Sequence, residues 1–141
     1  MSAKTLELKD VKVGDKLPEL ALPLTTTLIV GGALASRDFT PVHHDKGTAQ
    51  SQGMQDVFMN ILTTNGLVGR YVTDWAGMNA TLKGVAIKLG APNFPGDTMR
   101  MTGTVTAKDE GEGTVEVEIA GKNSWGDHVT GTVRVALPTG T

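Results

Sequence analysis

Asp38 and His43 are five positions apart with Pro41 between them, and His44 and Asp45 follow immediately. Pro41 removes a backbone donor and turns Thr40 toward an extended conformation, so this spacing describes a loop folding back on itself and not one helix face. A carboxylate and an imidazole on such a loop can grip one water and move its protons, which is general acid–base chemistry. The same residue types also fit a polar surface loop whose histidines face water, and composition does not separate the two. Two histidines and two carboxylates could also be read as zinc or iron ligands. Adjacent side chains rarely both turn inward, however, and no third histidine is placed to help, so no metal is expected. His128, isolated beside Trp125-Gly126-Asp127, reads as a surface or partly packed histidine.

The elements that must position this loop follow from periodicity. Residues 17–27 read as extended, with Pro18 and Pro23 arguing for an edge strand. Thr25, Thr26 and Thr27 can cap a helix over Leu28–Ser36, weakened by Gly31-Gly32 unless something passes close to that pair. Asp45–Gln52 suggests a helical turn. Met54, Val57, Phe58, Ile61 and Leu62 recur at helical intervals and predict the long helix over Met54–Asn65, with a continuation through Leu67–Val72. Gly53 would then stand at a helix start, where a ligand could approach unpartnered amides; a tight lead-in to the helix explains it equally well.

From Met78 the pattern turns to strands: Met78–Gly90 with a bulge at Gly84, Thr98–Lys108, Thr114–Gly121 and His128–Leu137. The turns between them are at 91–97, 109–113 and 123–127, of which 91–97 is the strongest turn signal in the chain. Four consecutive antiparallel strands with one face on a long helix satisfy both patterns, so the expected class is α+β in a single domain over residues 1–141.

The chain has 141 residues, 39% of them hydrophobic, enough for one core. Thirteen basic and 15 acidic residues are spread along it and aromatics are few, which disfavours nucleic acid as a partner. Cysteine is absent, ruling out disulfides and thiolate metal ligands. The segment Met1–Glu7 has no apolar signal-peptide core, and no stretch approaches the ~18 continuous apolar residues of a membrane span. The expectation is a cytoplasmic protein without membrane association.

Arg37-Asp38-Phe39-Thr40-Pro41-Val42-His43 resembles the signature of MaoC-like enoyl-CoA hydratases, Gly-Asp-x-Asn-Pro-x-His, with Ala49 as the small residue six positions later. Gln52-Gly53-Met54 is similar to the His-Gly-Met that many relatives carry at the start of the central helix. Phe94-Pro95-Gly96-Asp97-Thr98 matches a turn of that family. Together the motifs run through nearly the whole chain, and the resemblance implies a hot dog fold, an antiparallel sheet wrapped around a long central helix. It is most like the short catalytic subunit of actinobacterial steroid side-chain hydratases.

That resemblance implies hydration of a 2-enoyl-CoA thioester to the (R)-3-hydroxyacyl-CoA, in steroid side-chain or fatty acyl β-oxidation. Asp38 and His43 would be catalytic, and the Gly53 and Met54 amides would receive the thioester oxygen. Arg37, Thr40, Pro41 and His44 would support them. Arg37 replaces the usual glycine, and could either hold Asp38 ionised or project to solvent or a partner subunit. Thr40 replaces asparagine, and Gln52 replaces histidine. No cofactor is implied, since CoA belongs to the substrate. The implied partner is a second copy or a larger MaoC-like chain. A hot dog thioesterase and a noncatalytic acyl-CoA-binding subunit are the competing readings, separated from a hydratase by the product formed.

Overall fold

A computed structural model describes residues 5–140, so the extreme ends of the 1–141 domain and the first four residues of the Met1–Glu7 segment lie outside it. A short 3-10 turn at Leu8–Asp10 leads to β1 (Lys16–Pro23) and α1 (Thr26–Ala35). A second 3-10 turn (Pro41–His43), α2 (Lys46–Ser51) and α3 (Ile61–Ala76) come next, then β2 (Thr81–Leu89), β3 (Thr98–Asp109), β4 (Thr114–Asn123) and β5 (Gly126–Ala136). The five strands form one sheet in the order β1-β3-β4-β5-β2, every neighbouring pair antiparallel. This is a hot dog fold of class α+β, with helices packed on one sheet face.

Strand β1 is an edge strand, as its prolines require. Its register slips between Leu17 and Leu20, around Pro18, whose carbonyl accepts a 2.7 Å hydrogen bond from the Tyr71 hydroxyl of α3. Burial pushes that phenol up to about 12. The bulge expected at Gly84 appears as a slip between Leu82 and Gly84. Alternation in β3, β4 and β5 buries Met99, Met101, Val105, Val117, Ile119, Val133 and Val135 against α3.

Two expectations are corrected. Strands β3, β4 and β5 are consecutive hairpins, but β2 pairs with β5 and not with β3. Residues 91–97 hold the expected turn, at Pro95-Gly96, but join strands that do not pair; they carry the chain past the ends of β4 and β5, where Asn123 Nδ2 donates to the Pro92 carbonyl at 2.9 Å and to Asn93 Oδ1 at 2.8 Å.

The long helix runs over Ile61–Ala76 instead of Met54–Asn65. Asn60 is its N-cap, accepting from the Thr63 amide at 3.2 Å. Val57 and Met59 are buried from an irregular segment, while Ile61 and Leu62 are 53% and 50% exposed. The true core face is Thr64, Val68, Tyr71, Val72 and Ala76. Burying side chains such as Val68 and Val72 is worth about 1.5–3 kcal/mol each. That outweighs the roughly 1 kcal/mol cost of each helical glycine at 66 and 69.

Helix α1 starts at Thr26, two residues ahead of the expected Leu28, and one of the three threonines caps it, with Thr25 Oγ1 accepting from the Leu28 amide at 3.0 Å. Ile29 and Ala33 enter the core, whereas Leu34 is exposed. Something does pass close to the glycine pair: a Cβ at Gly32 would overlap Thr63 of α3, while Gly31 faces open space.

Candidate active site

Asp38 is delivered by the way α1 ends. Ser36 is the C-cap and Arg37 takes a left-handed backbone, φ 58°. The Arg37 amide donates to the Leu34 carbonyl at 3.1 Å and the Asp38 amide to the Ala33 carbonyl at 2.9 Å. These are the two bonds of a Schellman motif, whose left-handed position normally holds glycine. This explains why the family signature has glycine there. Arginine in that conformation costs about 1–2 kcal/mol, and its side chain is exposed. Asp38 is thus fixed to the helix end two residues beyond the cap.

The 3-10 turn with Pro41 at its first position brings His43 back toward Asp38. His43 is 9% exposed, its ring edge-on to Phe58 with centroids 4.8 Å apart. Nδ1 lies 2.7 Å from the Phe58 carbonyl oxygen, which can only accept, so Nδ1 carries the proton. In the neutral imidazole Nε2 is then unprotonated, and it lies 3.4 Å from Asp38 Oδ2. Two acceptors facing each other are what one water, donating a hydrogen to each, would join.

The rest of the carboxylate is held from two sides. Oδ1 accepts from the Thr40 amide at 3.2 Å and Oδ2 accepts from Asn60 Nδ2 at 3.1 Å. The Thr40 side chain foremost, then Asn60 and the Thr40 amide, keep the Asp38 carboxyl below the ordinary carboxylate range, with the neighbouring His43 adding a little. Arg37 is not among these causes.

His44 is exposed, its Nε2 3.2 Å from the Phe39 carbonyl, so it braces the loop. Asp45 caps α2, accepting from the Gly47 amide at 3.2 Å and the Thr48 hydroxyl at 2.7 Å. Among the described residues no three His, Asp or Glu side chains converge as metal ligands.

His128 departs from expectation: it is 3% exposed. Its Nδ1 donates to the Ala91 carbonyl at 2.7 Å, leaving Nε2 to accept from the Thr64 hydroxyl at 2.8 Å, so it fastens α3 to the sheet.

Gly53 and Met54 stand elsewhere than predicted. Gly53, φ 91°, follows the end of α2. Its amide donates to the Gln50 carbonyl at 3.1 Å, and that of Met54 to the Ala49 carbonyl at 3.0 Å. This is a second Schellman motif: a helix exit, with both amides already used. The central helix is entered through Phe58-Met59-Asn60, with Asn60 as its N-cap. There the Met59 amide donates to the Asn93 carbonyl at 3.1 Å, while those of Ile61 and Leu62 meet no acceptor among the described residues.

Sequence reading missed Asn60, Ser36 and the Phe58 carbonyl. Only Asn60 had a signal, an N-cap residue type directly ahead of a helical apolar face.

Residues 11–125 match the profile of the MaoC like domain. The chain belongs to the MaoC family. It is 50% identical over 125 residues to the 3-oxo-4,17-pregnadiene-20-carboxyl-CoA hydratase beta subunit of Mycobacterium tuberculosis, covering 89% of this chain and 95% of that one. It also superposes on a chain of the ChsH1-ChsH2 complex from Mycobacterium tuberculosis with a TM-score of 0.87 and 49% identity, over 90% of this chain and 98% of that one. The (R)-hydratase from A. caviae involved in PHA biosynthesis shares the fold at a TM-score of 0.84 with 23% identity, over 92% of this chain and 99% of that one. Within this MaoC-type hydratase fold the buried His43 and the half-buried Asp38 have the form of a catalytic dyad, consistent with hydro-lyase chemistry on an enoyl-CoA.

Proposed function

We propose that this chain adds water to a 2-enoyl-CoA thioester, giving the (R)-3-hydroxyacyl-CoA, with Asp38 and His43 as the catalytic pair. The observation that carries the reading is the 3.4 Å approach of Asp38 Oδ2 to an His43 Nε2 whose proton sits on the other ring nitrogen. One water bridging them turns an oxygen lone pair toward the substrate. His43, whose Nε2 is left free to accept by the bond of Nδ1 to the Phe58 carbonyl, takes the water proton as oxygen bonds to Cβ. The imidazolium, faced by the ionised Asp38, returns that proton to Cα, and H and OH are added in balance.

Charge developing on the thioester oxygen needs donors not already in use. The first-turn amides of α3, at its positive dipole end, meet that requirement, whereas those of Gly53 and Met54 do not.

The acyl group is proposed to be a steroid side chain, on the strength of the 50% identity to the pregnadiene-carboxyl-CoA hydratase beta subunit. The partner is proposed to be a second, larger MaoC-like chain, on the likeness to a chain of a two-chain complex. A cytoplasmic setting suits a CoA ester substrate. No helix among the described residues is long and apolar enough to cross a membrane.

The test is hydration of short-chain and steroid enoyl-CoAs, with and without a co-purified chain, by the parent, D38N and H43A. Each substitution is expected to lower turnover about 10²–10⁴-fold. Near-parental turnover in both folded variants, or release of free CoA thiol instead of a hydroxyacyl product, would sink the proposal.

A further inference from the structure

Asn60 is 1% exposed, and every polar atom of its side chain is committed. Oδ1 accepts from the Thr63 amide at 3.2 Å and from the Thr63 hydroxyl; Nδ2 donates to Ser36 Oγ at 2.9 Å and to Asp38 Oδ2 at 3.1 Å. The amide cannot be turned over. A flipped side chain would point NH2 at the Thr63 N–H and oxygen at a carboxylate. Ser36 reinforces this, because its hydroxyl proton is used on the Gly32 carbonyl at 2.7 Å, leaving Oγ as an acceptor.

From this geometry we infer that Asn60 is the positioning residue of the hydration site: through Nδ2 it fixes the Asp38 oxygen that faces His43. This rests on the hydratase reading for its consequence in turnover, but not for its effect on Asp38 itself. The same side chain also starts α3, so the carboxylate and the first-turn amides proposed to receive the thioester oxygen are set relative to each other through one residue. A water held at Asp38 and a carbonyl held at the helix start would then keep a constant separation.

Capping and donation can be separated by substitution. N60D keeps an acceptor for Thr63 but turns the donor toward Asp38 into a second carboxylate. N60S keeps a capping hydroxyl but is too short to carry the amide donor to Asp38, and adds no charge. The Asp38 carboxyl, carbon-13 labelled in the full chain, is titrated by NMR without substrate. Turnover and its pH profile are measured on the chain with its co-purified partner. In N60D the Asp38 midpoint is expected to rise by about one pH unit or more, and in N60S by less. In both, kcat falls about tenfold or more while KM stays within about threefold.

An unchanged midpoint in the folded variants would overturn the proposal. So would parental kcat alongside a moved midpoint, or failure of both variants to fold, which would make Asn60 a structural residue only. A parent that hydrates no enoyl-CoA would defeat the hydratase reading alone, and the midpoints would still decide whether Asn60 governs Asp38.

Discussion

Helices α1 and α2 end in the same way, with two amides folded back onto the last carbonyls and a left-handed residue between cap and exit. At the end of α2 that residue is Gly53, and the chain simply leaves. At the end of α1 it is Arg37, and the next residue is Asp38, which meets Asn60 and His43. The motif is therefore only a holder. Chemistry depends on what stands one residue beyond it and on what the tertiary fold brings opposite.

The comparison can be broken most severely at Gly32. An added methyl in G32A overlaps Thr63, and relieving it moves the end of α1 away from α3. We expect a loss of about 1–3 kcal/mol in denaturant unfolding. Turnover per folded molecule should also fall, because Asp38 leaves Asn60.

G53A tests the other holder. No atom crowds Gly53, so the only penalty is the left-handed backbone, about 1–2 kcal/mol. Turnover per folded molecule should stay parental; a large fall would restore Gly53 to the site.

R37G sharpens the contrast from the opposite side. It relieves left-handed strain but adds unfolded-state freedom, so the free energy of unfolding should rise by at most about 1 kcal/mol, with hydration retained. A loss of hydration would show that the guanidinium has a role beyond its backbone position.

The smallest effect is expected from acid. Burial lowers the pKa of His128 below its usual 6.5. The unfolded chain therefore binds the proton first. Stability from the neutral His128 staple is complete above about pH 6.5 and drains as pH falls toward the lowered folded value. Thermal unfolding at pH 7.5 and 5.5 should show this loss, and H128Q should reduce it. Asp38 shifts in the same direction but near pH 3.8 and below, so its contribution persists through that window.

Much of this molecule could be read from sequence because local chemistry agreed with the fold. Strands β3 to β5 alternate cleanly and are joined by glycine-rich turns, and the Asp38–His43 loop follows from Pro41. The start of α3 could not be read. Met54, Val57, Phe58, Ile61 and Leu62 imitate a helical stripe, yet Val57 and Met59 are buried from an irregular segment and Asn60 sets the true start. Gly53 was misplaced for the same reason, although glycine marks helix exits far more often than helix starts. Nor could the pairing of β2 with β5 be read, because sequence order favours the next strand and the true partner lies about 45 residues on. His128 looked isolated because Thr64 and Ala91 approach it only through the tertiary fold.

The insertion of β5 between β4 and β2 has a consequence for synthesis. A ribosome emits the loop, α3 and β2 well before the strand that joins them to the sheet. Until residues 126–136 emerge, β2 has no neighbour and Val68 and Val72 lack part of their floor. Nascent chains stalled before that point should therefore remain protease-sensitive and bind chaperones, with the site assembling only after the last hairpin closes.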